Sequence, residues 1–550
     1  MEARPCQIVE FFDGTKQMMV PLFQRPYEWE EKHWRELWED LLEQYERQES
    51  ETIAPHFTGA IVTAPAKSNP VGVSKYLVID GQQRMTTVSI LICAVRSLLD
   101  PTTPKYRKLS KLLINEDDEG LDYYKLLPTQ PDRLAFQQLI ALEPVLETRF
   151  ADAFEFFRKK IQGTDSDGNA IQVERLIETV QTRLTVVAIH LSNSDDPYLI
   201  FESLNAKGAP LTQADLIRNY LLLRLHSENQ QKVYEAAWLP MQTRLQGDHL
   251  TEFMRVFLMM DGEWVGKSSI YTVLKTQVID VNDGNISEYL HRMQRLSQLY
   301  SYIVGLAEFA DAEVASRLNR LRRWEVATAN PLILKMLEWH SVGKISSSEV
   351  QSALDAIESF VIRRAVCGAP TNQLKRVFLA LVKDLPEESP SAQLIANLAA
   401  GTSGRRWPKD DELERELLRY RAYSNPVDRC KLLLESIETS YGHKETIDFG
   451  VASIEHVMPQ TLNEDWVQVL GEGASGVHER WKDLLSNLTL SGYNSELSNY
   501  SFIKKRPMLQ SSNFMMNRWI AEQTDWTEVQ MEERSQILFG KMKNIWKRPS

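Results

Sequence analysis

The run Tyr76-Leu77-Val78-Ile79, followed by Asp80-Gly81-Gln82-Gln83-Arg84 and then an apolar stretch from Met85 to Leu99, constrains this chain more than any other feature. Four consecutive apolar residues suit a short strand buried on both faces. The stretch from Met85 reads as a strongly apolar, buried helix. Strand must therefore give way to helix within the Asp80–Arg84 turn. Further strand-like runs lie at Gln17–Leu22, broken by Pro21 and Pro26, at Phe57–Thr63 and at Thr185–Leu191. Glu30–Arg47 reads as an amphipathic helix, with Trp34, Leu37, Trp38, Leu41, Leu42 and Tyr45 at helical spacing. From Thr212 to about Leu385 nearly every segment is an amphipathic helix, with breaks at Gly262, Gly266, Asp283-Gly284 and Asn330-Pro331 and no fixed repeat. The expected fold class is α+β and predominantly helical.

At 550 residues the chain is long enough for about three domains. The Pro-, Ser-, Gly- and Thr-containing stretch Glu387–Arg406 is the best boundary. The expected division is 1–225, 226–400 and 401–550. No apolar run reaches the ~18 residues that span a bilayer, and the N-terminus lacks a signal-peptide core. A cytoplasmic location follows as the expectation. Cys6, Cys93, Cys367 and Cys430 form no C-x-x-C pair, so buried reduced thiols are expected rather than disulfides or a thiolate zinc site. A net charge of −12 argues against a general nucleic-acid coat. A local basic face remains compatible with DNA, and Lys504, Lys505 and Arg506 begin such a cluster.

The Asp-Gly turn has a chemistry of its own. Gly81 permits an unusual backbone conformation and close approach of a ligand. The helix behind it offers free N–H groups and a positive dipole end to phosphate. Arg84 adds a forked donor set, and Thr86 and Thr87 add hydroxyls in the first turn. Gln82 and Gln83 can orient a ligand without charge, and Asp80 can hold magnesium through water or orient Arg84. The Walker pattern is absent. Upstream, Val20 to Trp29 holds Gln24, Arg25, Tyr27 and Trp29 in a proline-stiffened stretch. Downstream, Phe201–Leu216 is a loop with Glu202 and Asn205, closing on a helix capped by Thr212 and carrying Asp215.

Together, Q-R-P-Y-x-W, F-x-G-x-I-V, D-G-Q-Q-R and F-x-x-L-N-x-x-G-x-x-L resemble the N-terminal domain of GmrSD-type modification-dependent (type IV) restriction enzymes, over roughly residues 8–225. The resemblance implies a ParB/sulfiredoxin-like fold that binds and hydrolyses a nucleoside triphosphate. It puts Gln24, Arg25, Asp80, Gly81, Gln82, Gln83, Arg84 and Thr86 near the nucleotide, with Glu202, Asn205 and Asp215 completing the pocket. The choice among ATP, GTP and CTP stays open.

A second constellation lies at Ser453–Gln460, where Glu455-His456 ends a strand-like run before Pro459. About thirty residues later come Asn487-Leu488-Thr489-Leu490 and Asn494. Phosphodiester cleavage with one metal needs a base, for which neutral imidazole suits pH 7, and a hard cation on oxygen ligands. Neighbours on a regular strand point to opposite faces, so Glu455 and His456 need a distortion to serve one site. The pattern resembles the HNH, or ββα-metal, nuclease motif of GmrSD C-terminal domains, over roughly residues 410–515. Carried over, His456 is the general base, Asn487 braces the loop, Glu455 and Asn494 hold Mg2+ or Mn2+, and Lys504, Lys505 and Arg506 face the DNA backbone. Asn499 is the other choice of ligand.

The implied activity is cleavage of modified phage double-stranded DNA under NTP control. A phosphorothioate-sensing nicking nuclease, with Pro26, Tyr27 and Trp29 as an apolar wall for sulfur, is one alternative; ordinary core packing is the simpler account of those three. A non-cleaving nucleotide-dependent DNA-binding regulator is another. A double-strand cut from one HNH site requires two nicks or a homodimer.

Overall fold

The computed structural model describes residues 2–21, 24–47, 56–66, 72–144, 148–192, 212–225, 227–278, 283–424, 426–443, 447–492 and 498–549. Glu202, Asn205 and Asn494 lie outside the described residues. The chain divides into two compact units, residues 1–239 with 274–290, and residues 240–273 with 291–550.

The first unit is built on a six-stranded sheet: β1 (Glu2–Gln7), β2 (Lys16–Met19), β3 (His56–Pro65), β4 (Ser74–Asp80), β5 (Leu126–Leu127) and β6 (Leu184–His190), in the order β1-β6-β3-β4-β2-β5. Pairing is mixed: β3 runs parallel to β6 and antiparallel to β4, and β4 runs parallel to β2. β1 forms one edge, where Pro5, which cannot donate to a ladder, is tolerated. Helix α1 (Glu31–Glu46) buries Trp34, Leu37, Trp38, Leu41 and Tyr45, the residues whose spacing predicts it, except that Leu42 is only half-buried.

The strand-to-helix turn is tighter than the sequence suggests. Helix α2 (Gln82–Arg96) begins at Gln82, not near Met85. Gly81 stands at its N-cap with φ of 90°, the left-handed region in which a β-carbon is costly, and so reverses the chain in one residue. A side chain there would also meet Ile61 Cγ1 at 2.8 Å. Gln82, Gln83 and Arg84 therefore form the first turn of a helix buried almost all round. Helix α3 (Gln213–Leu223) starts where expected: Thr212 Oγ1 accepts from Asp215 N at 3.1 Å.

In the second unit, α4 (Ala312–Arg323), α5 (Ser347–Val366), α6 (Val427–Thr439) and the long α8 (Glu528–Ile545) are joined by arginines. Arg323 pairs with Asp428 at 2.9 Å and with Glu435 at 2.5 Å. Arg363 is almost wholly buried and donates to Trp546 O at 2.6 Å. The helices of 240–273 and from 291 onward thus share one unit with the C-terminal segment, whereas 227–239 and 274–290 belong to the first. That segment carries a two-stranded antiparallel sheet, β7 (Ser453–His456) with β8 (Leu488–Ser491), and helix α7 (Phe502–Gln510). Trp466, Trp481, Phe502 and Trp526 form the core beside it. All four cysteines are free and buried. Among the described residues no helix is long and apolar enough to cross a membrane.

Candidate functional site

In the first unit three of the motifs, Q-R-P-Y-x-W, F-x-G-x-I-V and D-G-Q-Q-R, meet around the N-terminal turn of α2. Gln83 Oε1 accepts from the backbone N–H of Glu28 (2.9 Å) and of Trp29 (3.3 Å), and its Nε2 donates to Pro26 O at 2.9 Å. Gln24 donates to Ile79 O at 3.0 Å. Gln82 Nε2 reaches Arg25 O at 3.4 Å, while its buried Oε1 has no partner among the described residues. These amides sew the Gln24–Trp29 segment onto the end of β4. Arg25 pairs with Glu28 at 3.2 Å, and Thr86 is buried. Tyr27 belongs to the core: its hydroxyl bonds Thr87 Oγ1 and Trp34 Nε1, each at 2.8 Å. Asp215 is engaged locally, bonding back to Thr212 N at 3.3 Å and pairing with Arg218 at 2.8 Å.

Arg84 differs from the glutamines. Its Nη1 donates to Ala60 O at 2.9 Å, and among the described residues no carboxylate pairs with it. The guanidinium rests on Gly59, which has φ of 110°; a β-carbon at Gly59 would lie 2.8 Å from Arg84 Cζ. Thus the glycine of F-x-G-x-I-V cradles the arginine of D-G-Q-Q-R. Arg84 faces a cavity of about 160 Å3 with Trp29, His33, Asp40, His56 and Phe57. Trp29 and His33 stack with ring centroids 5.6 Å apart.

In the second unit, His456 ends β7 and is buried. Tyr423 packs edge-on to its ring at 4.5 Å. His456 Nε2 lies 3.8 Å from Asp483 Oδ1, beyond hydrogen-bond reach, and has no hydrogen-bond partner among the described residues. Burial pushes the imidazole down to about 4, against the opposing pull of Asp483, so the ring is neutral at pH 7. Asn487 is fully buried. Its Oδ1 accepts from Met458 N (2.8 Å) and Trp526 Nε1 (3.0 Å), and its Nδ2 donates to Met458 O (2.8 Å) and Lys482 O (3.0 Å). Every polar position of this amide is used to hold the chain just after His456.

The expectation for Lys505 needs correction. It is wholly buried, with Nζ 2.6 Å from Glu455 Oε1 and 2.8 Å from His456 O, and cannot reach a DNA phosphate from there. Burial lowers its pKa and raises that of Glu455, each offset in part by the partner. Glu455, expected on a metal, has its carboxylate on this ammonium. Its neighbour's ring goes to Tyr423 and Asp483, as opposite-facing strand residues would. Among the described residues no three His, Cys, Asp or Glu side chains converge to hold a metal. Glu455 is thus engaged by Lys505, and Asn494, the other expected ligand, lies outside the described residues. Lys504 is exposed over the Tyr500 ring, and Arg506 donates to Ala521 O at 2.8 Å.

Residues 8–222 match the family model for the N-terminal domain of the GmrSD restriction endonuclease, and residues 407–541 match that for the C-terminal domain of GmrSD restriction endonucleases. The chain belongs to the GmrSD restriction endonuclease family. No match was found among curated proteins. The Arg84 corner falls inside the first GmrSD match, and His456, Asn487 and Lys505 inside the second. Sequence reasoning missed His33, Asp40, His56, Tyr423 and Asp483. For the α1 pair a signal existed, since His33 and Asp40 are seven residues apart and share a helix face.

Proposed function

We propose that this GmrSD-family chain is a modification-dependent DNA endonuclease of anti-phage defence, whose HNH-type site at His456 is regulated by NTP bound at the Arg84 corner. The observation that carries the nuclease half is a buried, neutral imidazole whose Nε2 has no hydrogen-bond partner among the described residues, on a strand end whose continuing backbone at Met458 is held by the fully satisfied amide of Asn487. Such an imidazole can take the proton of an attacking water as the phosphorus–oxygen bond breaks. The antiparallel β7–β8 pair followed by α7 supports the ββα reading. Magnesium or manganese dependence rests on the family resemblance.

The N-terminal half rests on Arg84, a guanidinium without a carboxylate partner among the described residues, beside a helix N-terminus with no side-chain cap. A ParB-like nucleotide domain would use both. The phosphorothioate alternative loses support because Tyr27 is tied into the core.

Two substitutions test the division of labour. His456→Ala should abolish DNA cleavage and spare NTP hydrolysis. Arg84→Ala should abolish NTP binding and alter cleavage only through coupling. NTP binding that survives Arg84→Ala would remove the nucleotide from this corner.

A further inference from the structure

The cavity in front of Arg84 contains a histidine–carboxylate pair that the family motifs do not include. His56 Nε2 lies 3.1 Å from Asp40 Oδ2. The histidine is anchored at the start of β3, where its N–H donates to Arg183 O at 2.9 Å and its carbonyl accepts from Thr185 Oγ1 at 3.0 Å. Asp40 comes from α1, and Arg84 comes from α2. Three separate elements therefore bring Arg84, His56 and Asp40 to one cavity of about 160 Å3, which His33 and Glu36 of α1 also line.

We propose that His56 is the general base for NTP hydrolysis in this cavity, and that Asp40 is its positioning residue. The proposal rests on the reading of the Arg84 corner as an NTP site. A carboxylate that accepts from Nε2–H fixes the tautomer and leaves the Nδ1 lone pair free. Nδ1 takes a proton from water while the water oxygen bonds to the terminal phosphorus. The bond from that phosphorus to the bridging oxygen breaks, and its electron pair leaves with the nucleoside diphosphate. Inorganic phosphate forms, and the proton stays on an imidazolium stabilised by Asp40. Arg84 meets the charge on the phosphoryl oxygens. This arrangement gives the domain water activation without a Walker lysine.

The test uses the full-length chain with ATP, GTP and CTP in turn, reading phosphate release, and reads affinity with a fluorescent non-hydrolysable analogue of the nucleotide turned over. His56→Gly should lower turnover about 100-fold, with affinity retained, and added imidazole should restore part of the rate. His56→Gln, which retains a polar side chain at the position, should lose turnover as well. Asp40→Asn should lose less, about tenfold, in turnover rather than in affinity. Full turnover by a folded His56→Gln variant, on a nucleotide that Arg84→Ala fails to bind, would overturn the general-base role and leave the NTP site standing. Failure of the wild-type chain to bind or hydrolyse any of the three would overturn the site and the base together.

Discussion

The guanidinium of Arg84 packs directly on Gly59, so closely that a β-carbon at Gly59 would sit 2.8 Å from Arg84 Cζ and 2.9 Å from its Nη2. Two motifs separated in sequence are thereby one device. The left-handed backbone at Gly59 opens β3, and the arginine of the following helix fills the opening.

Gly59→Ala should therefore displace Arg84 and remove nucleotide affinity, besides costing roughly 1–3 kcal/mol of backbone strain. Gly14 makes the control. It too has positive φ, 74°, but nothing lies within 4 Å of its would-be β-carbon. Gly14→Ala should lower the melting temperature yet leave nucleotide binding intact. Equal affinities for the two variants would mean that Arg84 does not meet the nucleotide.

Asn487→Ala removes four hydrogen bonds and strands buried partners at Met458, Lys482 and Trp526. A loss of about 3 kcal/mol is expected. Cleavage should fall with it, because the amide holds the residues that follow His456. Denaturant melts of the variant, alongside a DNA cleavage time course, check both effects.

Lys505 and Lys504 are adjacent and should behave oppositely. Lys505→Met leaves Glu455 buried without its cation, a loss of about 3–5 kcal/mol. Pairing it with Glu455→Gln should recover much of that stability. Lys504, exposed beside Tyr500, is the residue whose removal should lower the salt dependence of DNA binding, by about 0.9 in the log–log slope. A change of slope on Lys505→Met without unfolding would contradict the buried ion pair.

The depressed pKa of His456, about 4, fixes the sign of a pH effect. An unfolded histidine takes up a proton near pH 6.5, whereas the folded one stays neutral until about 4. The unfolded state binds more protons in that window, so stability falls as pH drops through it, by on the order of 3 kcal/mol at most. It is unaffected by this group above the window. His456→Gln should flatten the melting temperature between pH 7 and 4.5 relative to wild type.

Much of the first unit was legible because its signals are local. The apolar run at Tyr76–Ile79, the Asp-Gly turn and the spacing of Trp34, Trp38 and Leu41 each specify an element within one window. The start of α2 is not legible because Gln82, Gln83 and Arg84 look like loop residues, and the burial of Gln83 follows from its bonds to Glu28 and Trp29. In the second unit, His456 and Asn487 stood out by motif. The Glu455–Lys505 pair did not: its partners lie 50 residues apart, and lysine is among the residues least often fully buried. The His56–Asp40 pair is hidden for the same reason, since only folding joins a strand start to a helix face.

The most direct test of the nuclease assignment is cleavage of modified phage DNA and of the matching unmodified DNA, with and without NTP, by wild type and His456→Ala in parallel. Cutting should favour modified DNA, respond to NTP and vanish in His456→Ala. Equal cutting by His456→Ala, or NTP hydrolysis with no cutting of any substrate, would contradict the nuclease assignment at His456.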